Sequence, residues 1–235
     1  MIRTGIAAQE TSVATFAGSG TSDSVDGTGT AASIYGPRGL DVSPDGSKLL
    51  VIDSGSGLVR EIMLATGAVT TLAGTGTSGS ADGTGTAASF SLPRGVAYAP
   101  DGDKAMVADY TNNLIREIVL ANGAVTTIAG TGTSGSVDGT GTAAGFAGPR
   151  GITYSPDGVK VVVTDADGER VREIAVATGI VTTIAGTGSA GSTDGVGATA
   201  TFSRPFDVAY TPNGIFLYIA DANNHLVRVY TTCTT

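Results

Sequence analysis

The chain has 235 residues, 41% of them hydrophobic and 14% charged, so it can bury the core of one large β-domain or two small ones. Its formal net charge of −8 disfavours nucleic acid and anionic membrane surfaces as partners. No apolar run approaches the ~20 residues of a membrane-spanning helix. The first residues lack the apolar region of a secretory signal, which indicates either no such signal or one already removed.

The sequence repeats itself with a constant period. Nearly the same Gly/Thr-rich letters begin at Ala17, Ala73, Ala129 and Ala185, at equal steps of 56 residues (17 to 73, 73 to 129, 129 to 185). A proline keeps the same step at positions 37, 93, 149 and 205. A fixed period of this length indicates one supersecondary module per repeat. We therefore interpret residues 1–235 as a single domain with units starting near 17, 73, 129 and 185.

The third unit predicts four short strands. Residues 151–155, 159–165, 170–176 and 180–185 are alternating or β-branched runs, and turn sequences such as Pro156-Asp-Gly separate them. Four-stranded antiparallel units repeated along a chain are typical of the blades of a β-propeller. A solenoid is the competing architecture, but its repeats are usually shorter and lack this meander.

The two ends of the chain are offset by one strand. Residues 11–17 match the fourth strand of a unit (68–73), whereas the last unit stops at its third strand, 227–230. We predict an all-β propeller of four four-stranded antiparallel blades, in which the N-terminal strand completes the last blade. The alternative is head-to-tail exchange, in which Ser12 to Ala17 fills the gap of a neighbouring chain and assembles a fibre.

Two units carry a family resemblance. Pro205-Phe-Asp-Val-Ala-Tyr, Leu217-Tyr-Ile-Ala-Asp and Asn223-Asn-His-Leu-Val-Arg resemble the NHL repeat of β-propellers, and Pro93-Arg-Gly-Val-Ala-Tyr is similar. The added Gly/Thr-rich segment resembles a long-repeat subgroup found in large secreted and cell-surface proteins. The resemblance implies a propeller fold. Propeller enzymes of this general kind commonly use histidine metal ligands or a histidine base.

Two sets of aspartates recur once per unit. Those that close the second strand are predicted to accept backbone N–H bonds in the following turn, with calcium ligation as the alternative. They are Asp53, Asp109, Asp165 and Asp221. Those in the Gly/Thr-rich segment are predicted to form turns. They are Asp26, Asp82, Asp138 and Asp194.

Two sets of arginines also recur. Arg60, Arg116, Arg172 and Arg228 lie on the third strand, where each is expected to pair with a carboxylate or carbonyl. Arg38, Arg94 and Arg150 enter the innermost strand near the mouth of the channel. Their structural interpretation is an edge role, because Phe206 breaks the set in the fourth unit. The functional alternative is a partner surface for an acidic ligand.

The sequence offers little for catalysis. Its one histidine, His225, lies in a loop of the last unit, and its one cysteine, Cys233, cannot form an internal disulfide. We therefore expect no cofactor, no tightly held transition metal and no enzyme activity. The alternative is a calcium-dependent or lactonase-like hydrolase. A third interpretation is an engineered consensus repeat, although the drift in the fourth unit is typical of a natural sequence.

The preferred interpretation is a non-catalytic binding or structural module, outside the cell or on its surface. It would present its Gly/Thr loops and Thr-rich outer strands to protein or glycan partners and is a candidate for self-assembly. The hydroxyls between Thr131 and Thr142 are candidates for O-linked sugars.

Overall fold

The computed structural model describes residues 12–232, so Cys233 and residues 1–11 lie outside the described residues. The described chain is all-β, with eighteen strands and short 3-10 helices. The 3-10 helices span Gly29–Ala31, Gly85–Ala87, Gly141–Ala143, Gly197–Thr199 and Ala222–Asn224. Among residues 12–232, no helix has the length and apolar character needed to cross a membrane.

Four antiparallel sheets follow one another along the chain, as the repeat predicts. The first contains β1 (Gly27–Thr28), β2 (Pro37–Val42), β3 (Lys48–Asp53), β4 (Leu58–Met63) and β5 (Ala68–Ala73). The second contains β6 (Gly83–Thr84), β7 (Val96–Tyr98), β8 (Lys104–Asp109), β9 (Leu114–Val119) and β10 (Ala124–Ala129). The third contains β11 (Gly139–Thr140), β12 (Pro149–Tyr154), β13 (Lys160–Asp165), β14 (Arg170–Ala175) and β15 (Ile180–Ala185). The fourth contains β16 (Pro205–Tyr210), β17 (Phe216–Asp221) and β18 (Leu226–Thr231).

The predicted four-stranded meander is confirmed in the first three sheets. Each of them also gains a two-residue fifth strand, because a Gly-Thr pair in the Gly/Thr-rich segment pairs with the outer strand, as Gly27 does with Val69. The order in the first sheet is β1-β5-β4-β3-β2, with β2 innermost. The four sheets are therefore the blades of a β-propeller.

The structure differs from the prediction at the closure of the ring. Residues 12–17 form no strand, and within residues 12–232 the fourth sheet keeps only its three strands. The physical reason is distance. Ala17 lies against the core of the first sheet, whereas the inner strands of the first and fourth sheets, β2 and β16, make at most marginal contact, so residues 12–17 do not reach β18.

The hydrophobic core lies between successive sheets. Between the first two sheets, Leu50 and Ile52 of β3 pack with Val96 and Val107 of the second sheet, and Phe90 from the connecting loop fills the same cluster. The next cluster uses the same repeat positions one unit later. Because every blade buries one face against each neighbour, a blade at either end of the series has one face left over.

The inner strands approach each other backbone to backbone. The N–H of Gly39 on β2 donates to the carbonyl of Arg94 at 2.8 Å, and a Cβ at Gly39 would stand only 2.5 Å from that oxygen. A Cβ at Gly151 would stand 2.6 Å from the Cα of Asp207. The glycine that follows each of Arg38, Arg94 and Arg150 therefore has a steric origin, since only glycine permits this approach.

We expect the Gly151→Ala variant to lose about 1–3 kcal/mol of unfolding free energy, because the added methyl forces β12 and β16 apart. Urea denaturation followed by circular dichroism measures the change. Gly135→Ala is the matched control, since a Cβ there meets nothing within 4 Å. The steric account fails if the two variants are equally stable.

Candidate functional site

Each blade contains an arginine held between two aspartates, and in the first three blades this arginine is fully buried. In the second blade the Arg116 guanidinium donates to Asp109 at 2.9 Å, to Asp82 at 2.7 Å and to the carbonyl of Ser89 at 3.0 Å. Its carbon lies 5.2 Å from the ring centroid of Phe90. The same pairs recur in the other blades. They are Arg60 with Asp53 and Asp26, Arg172 with Asp165 and Asp138, and Arg228 with Asp221 and Asp194. The predicted pairing of these arginines is confirmed.

The strand-closing aspartates bond to a different segment from the one predicted. Asp109 accepts the side chain of Asn112 from the following turn, but its backbone donor is Ser91, in the loop that precedes the inner strand. Burial raises the pKa of Asp109, although the bonds from Asn112, Ser91 and Arg116 oppose that shift. These aspartates therefore tie the second strand to the entrance of the inner strand.

The loop aspartates are the outer partners of the same arginines and are more than turn residues. Burial works to raise the pKa of Asp82, but the bonds from Thr127 and Arg116 outweigh it, so the pKa lies below its usual value. Each unit supplies one such aspartate 34 residues before its arginine, but every pair of repeated positions keeps a fixed separation, so the spacing alone does not identify this pair.

The four calcium candidates lie one per blade, and each carboxylate is bonded to the arginine of its own blade. Within residues 12–232, no group of three or more histidine, cysteine, aspartate or glutamate side chains is placed to hold a metal ion. His225 is exposed and takes a left-handed conformation at the end of a 3-10 helix. The described residues thus bring together no set of metal ligands.

The three inner-strand arginines do come together. Arg38, Arg94 and Arg150 line a cavity of about 230 Å³ at the centre of the blades, with Phe206 and Asp207 from the fourth blade completing its wall. In the described part of the chain none of these arginines forms an ion pair with a carboxylate. We call this set the arginine cluster.

Burial and mutual repulsion act on the arginine cluster. The pKa of Arg94 is lowered first by burial and then by the charge of Arg38, and the pKa of Arg150 is lowered first by burial and then by Arg94. The Nε of Arg94 is buried and has no hydrogen-bond partner in the described structure. The three cationic groups around this cavity outnumber the one carboxylate in its wall, Asp207, and so favour an anionic ligand.

Aromatic rings support two members of the cluster. The guanidinium carbon of Arg150 lies 3.4 Å from the ring centroid of Phe206, and that of Arg94 lies 5.1 Å from the ring of Tyr110. These contacts hold the planar cations in place without neutralising their charge. Phe206 takes the place of an arginine in the fourth unit, and its ring stacks on the guanidinium group of Arg150.

No protein-family model matches the chain. The protein SUPPRESSOR OF QUENCHING 1, chloroplastic, of Arabidopsis thaliana is 31% identical over 92% of this chain. NHL repeat-containing protein 2 of Bos taurus is 32% identical over 60% of it. The chain belongs to the NHL-repeat β-propellers.

This NHL-repeat propeller spans only about a fifth of the curated relatives it matches, 21% of each. Among solved structures, an auxiliary nutrient binding protein from Bacteroides ovatus is 25% identical, with a TM-score of 0.68. The match covers 84% of this chain and 48% of that one. The propeller fold is thus shared with longer proteins.

Sequence reasoning missed the residues that surround the arginine cluster of this NHL propeller. Arg204 bonds to Asp167 at 3.0 Å and lies beside Tyr110. It occupies a left-handed backbone position (φ 49°) where the first and third units have glycine, Gly36 and Gly148. That departure, a charged residue in place of glycine, is the signal that could have drawn attention to it.

Proposed function

We propose that the chain is a non-catalytic binding module of an extracellular or cell-surface protein, and that its arginine cluster holds a carboxylate of a protein partner. The observation that carries the proposal is three guanidinium groups around one cavity, with no carboxylate paired to them in the described structure. Guanidinium groups match the planar geometry of a carboxylate better than any other side chain. The cavity of about 230 Å³ has room for such a group and is small for a drug-sized ligand.

Three further features support a binding role. The related protein from Bacteroides ovatus is named as an auxiliary nutrient binding protein. The one histidine among the described residues, His225, is exposed and does not line the cavity. The threonines of the Gly/Thr loops, such as Thr131 and Thr133, are exposed, so these loops are available to partners and to O-linked sugars.

A fluorescent hexaglutamate peptide tests the carboxylate site. We expect the Arg94→Gln variant to bind it at least about tenfold more weakly than the parent protein, since one charged hydrogen-bond donor is worth about 1.5–3 kcal/mol. Fluorescence anisotropy measures the affinity. A uronic-acid oligosaccharide in a parallel titration distinguishes a glycan carboxylate from a protein one.

Arg170→Gln is the matched control. Arg170 bonds to the carbonyls of Gly168 and Thr187 and does not line the cavity. Its replacement should leave the affinity for the peptide unchanged. Equal affinities of both variants and the parent protein would refute the proposed site.

A further inference from the structure

The fourth blade exposes a face that the other three blades bury. Val227 on β18 is 77% exposed and Tyr218 on β17 is 46% exposed. At the same repeat positions of the first blade, Val59 and Leu50 are fully buried against the second blade. We call the surface formed by Tyr218, Ala220 and Val227 the leading face. Within the described residues, the leading face has no following blade to cover it.

The leading face is also more apolar than its counterparts. In the first three blades an ion pair of lysine and glutamate lies at its outer edge, as in Lys48–Glu61 at 3.0 Å. The third blade has Lys160 and Glu173 at these positions. The fourth blade has Phe216 and Val229 there instead, and both are exposed. Large exposed apolar patches mark interaction sites. Because two apolar residues stand here in place of an ion pair, the leading face is suited to contact with another protein surface.

A groove lies along the edge of β18. It has a volume of about 450 Å³ and is lined on one side by Gly195 and Gly197 and on the other by Val227 to Tyr230. In the first blade β5 lies between β1 and β4, the corresponding elements. The groove thus has the position that β5 occupies in the first blade.

The opposite end of the chain carries the matching surface. Val13 is fully exposed, whereas its repeat counterpart Val69 on β5 is buried. The bond from Gly18 to Gly29 equals in length the one from Gly74 to Gly85 in the next unit, 3.1 Å in both. Residues 12–17 therefore leave the first blade where the fourth strand of a preceding blade would lie.

The first blade also has an uncovered face of its own. Leu40 on β2 is 62% exposed, whereas its counterpart Val96 is 5% exposed because the first blade covers it. Val42, two residues along the same strand, is exposed as well. We call Leu40 and Val42 the trailing face. In the two interfaces at which the second blade meets its neighbours, a leading face packs on a trailing face.

The first and fourth blades do not cover each other within one chain. Their inner strands β2 and β16 make at most marginal contact, whereas β2 with β7, β7 with β12 and β12 with β16 pack closely. The two apolar faces and the strand groove thus stand open in the same molecule.

We propose that copies of this chain associate head to tail, with residues 12–17 of one copy filling the groove on β18 of another. The trailing face of the first copy then covers the leading face of the second, so the contact repeats the blade-to-blade packing found inside the chain. The proposal rests on the proposed function as a binding module and adds a second copy as a partner. Such an interface is heterologous, and it builds rings or filaments according to its rotation.

Sedimentation velocity over a range of concentrations tests the association. We expect the parent protein to form dimers or longer assemblies. Val13→Asp should weaken them at least about tenfold, because the groove would have to desolvate a carboxylate. Val227→Asp should do the same from the other side. Val13 and Val227 are exposed within the single chain, so both variants should fold, which circular dichroism verifies.

Mixing the two variants gives the decisive result. Val13→Asp keeps an intact groove and Val227→Asp keeps an intact segment 12–17, so the mixture should form a one-to-one dimer that grows no further. Val137→Asp, at an exposed loop position, is the control and should assemble like the parent. A parent protein that stays monomeric at millimolar concentration would overturn the proposal, as would a mixture that contains only monomers.

The association and the carboxylate site fail independently. Hexaglutamate binding by the Val13→Asp variant should equal that of the parent, and Arg94→Gln should assemble normally. A parent protein that does not assemble but binds the peptide would refute only the head-to-tail contact. A parent protein that assembles but does not bind the peptide would refute only the carboxylate site.

Discussion

The Arg116→Met variant is expected to lose about 3–5 kcal/mol of unfolding free energy, because the substitution strands a buried carboxylate. Asp109 is fully buried and would lose the guanidinium 2.9 Å away, while Ser91 and Asn112 would remain as its only donors. Asp82 is half exposed, so the loss of its ion pair would cost less free energy, since water can replace the arginine. Chemical denaturation of the parent and the variant at neutral pH measures the difference.

Lys104→Met is the control for this prediction. It removes an ion pair of similar length, Lys104–Glu117 at 3.0 Å, but one in which the lysine is largely solvated. Exposed pairs contribute at most about 1 kcal/mol. An Arg116→Met variant that is no less stable than Lys104→Met would contradict the structural role of the buried arginine.

The Phe146→Ala variant should be destabilised by about 3–5 kcal/mol, which is usual for removal of a fully buried aromatic ring. Phe146 lies in the cluster between the second and third blades, together with Ile115, Val163 and Ala144. Its ring centroid lies 5.1 Å from the guanidinium carbon of Arg172. The substitution thus opens a cavity and also removes the apolar support of the buried ion pair. Thermal and urea unfolding both report the loss.

Phe146→Ile separates these contributions. The first unit has Ile34 at the corresponding position, so the fold already accepts a branched aliphatic side chain there. We expect a loss smaller than that of alanine, because more of the volume stays filled. Equal losses for the two variants would mean that the cavity is not the cause.

The predictable part of this protein comes from its periodicity. A step of 56 residues with alternating apolar positions is sufficient to predict antiparallel blades, since each unit must bury its faces against the next. The buried arginine was also predictable, because an arginine on a strand needs a carboxylate and each unit supplies one seven residues earlier, as Asp109 precedes Arg116.

The contacts of the Gly/Thr-rich segment could not be predicted from the sequence. Asp82 lies 34 residues before Arg116, and no local pattern connects a loop carboxylate with a distant strand. The two-residue strand at Gly83–Thr84 is equally hidden, because its pairing partner Val125 follows it by an entire meander.

The sequence by itself determined the blades, their number and the residues that recur in each, because local alternation and turn chemistry act within one unit. The sequence also singled out Arg38, Arg94 and Arg150 near the mouth of the channel, but only the tertiary structure decided that they line one cavity. They are far apart in the chain and converge because the inner strands pack backbone to backbone, which glycine permits. It also decided the state of the two ends. Whether residues 12–17 reach β18 depends on the distance between the first and fourth blades, which is set by packing at the three internal interfaces and not by any letter of the segment itself.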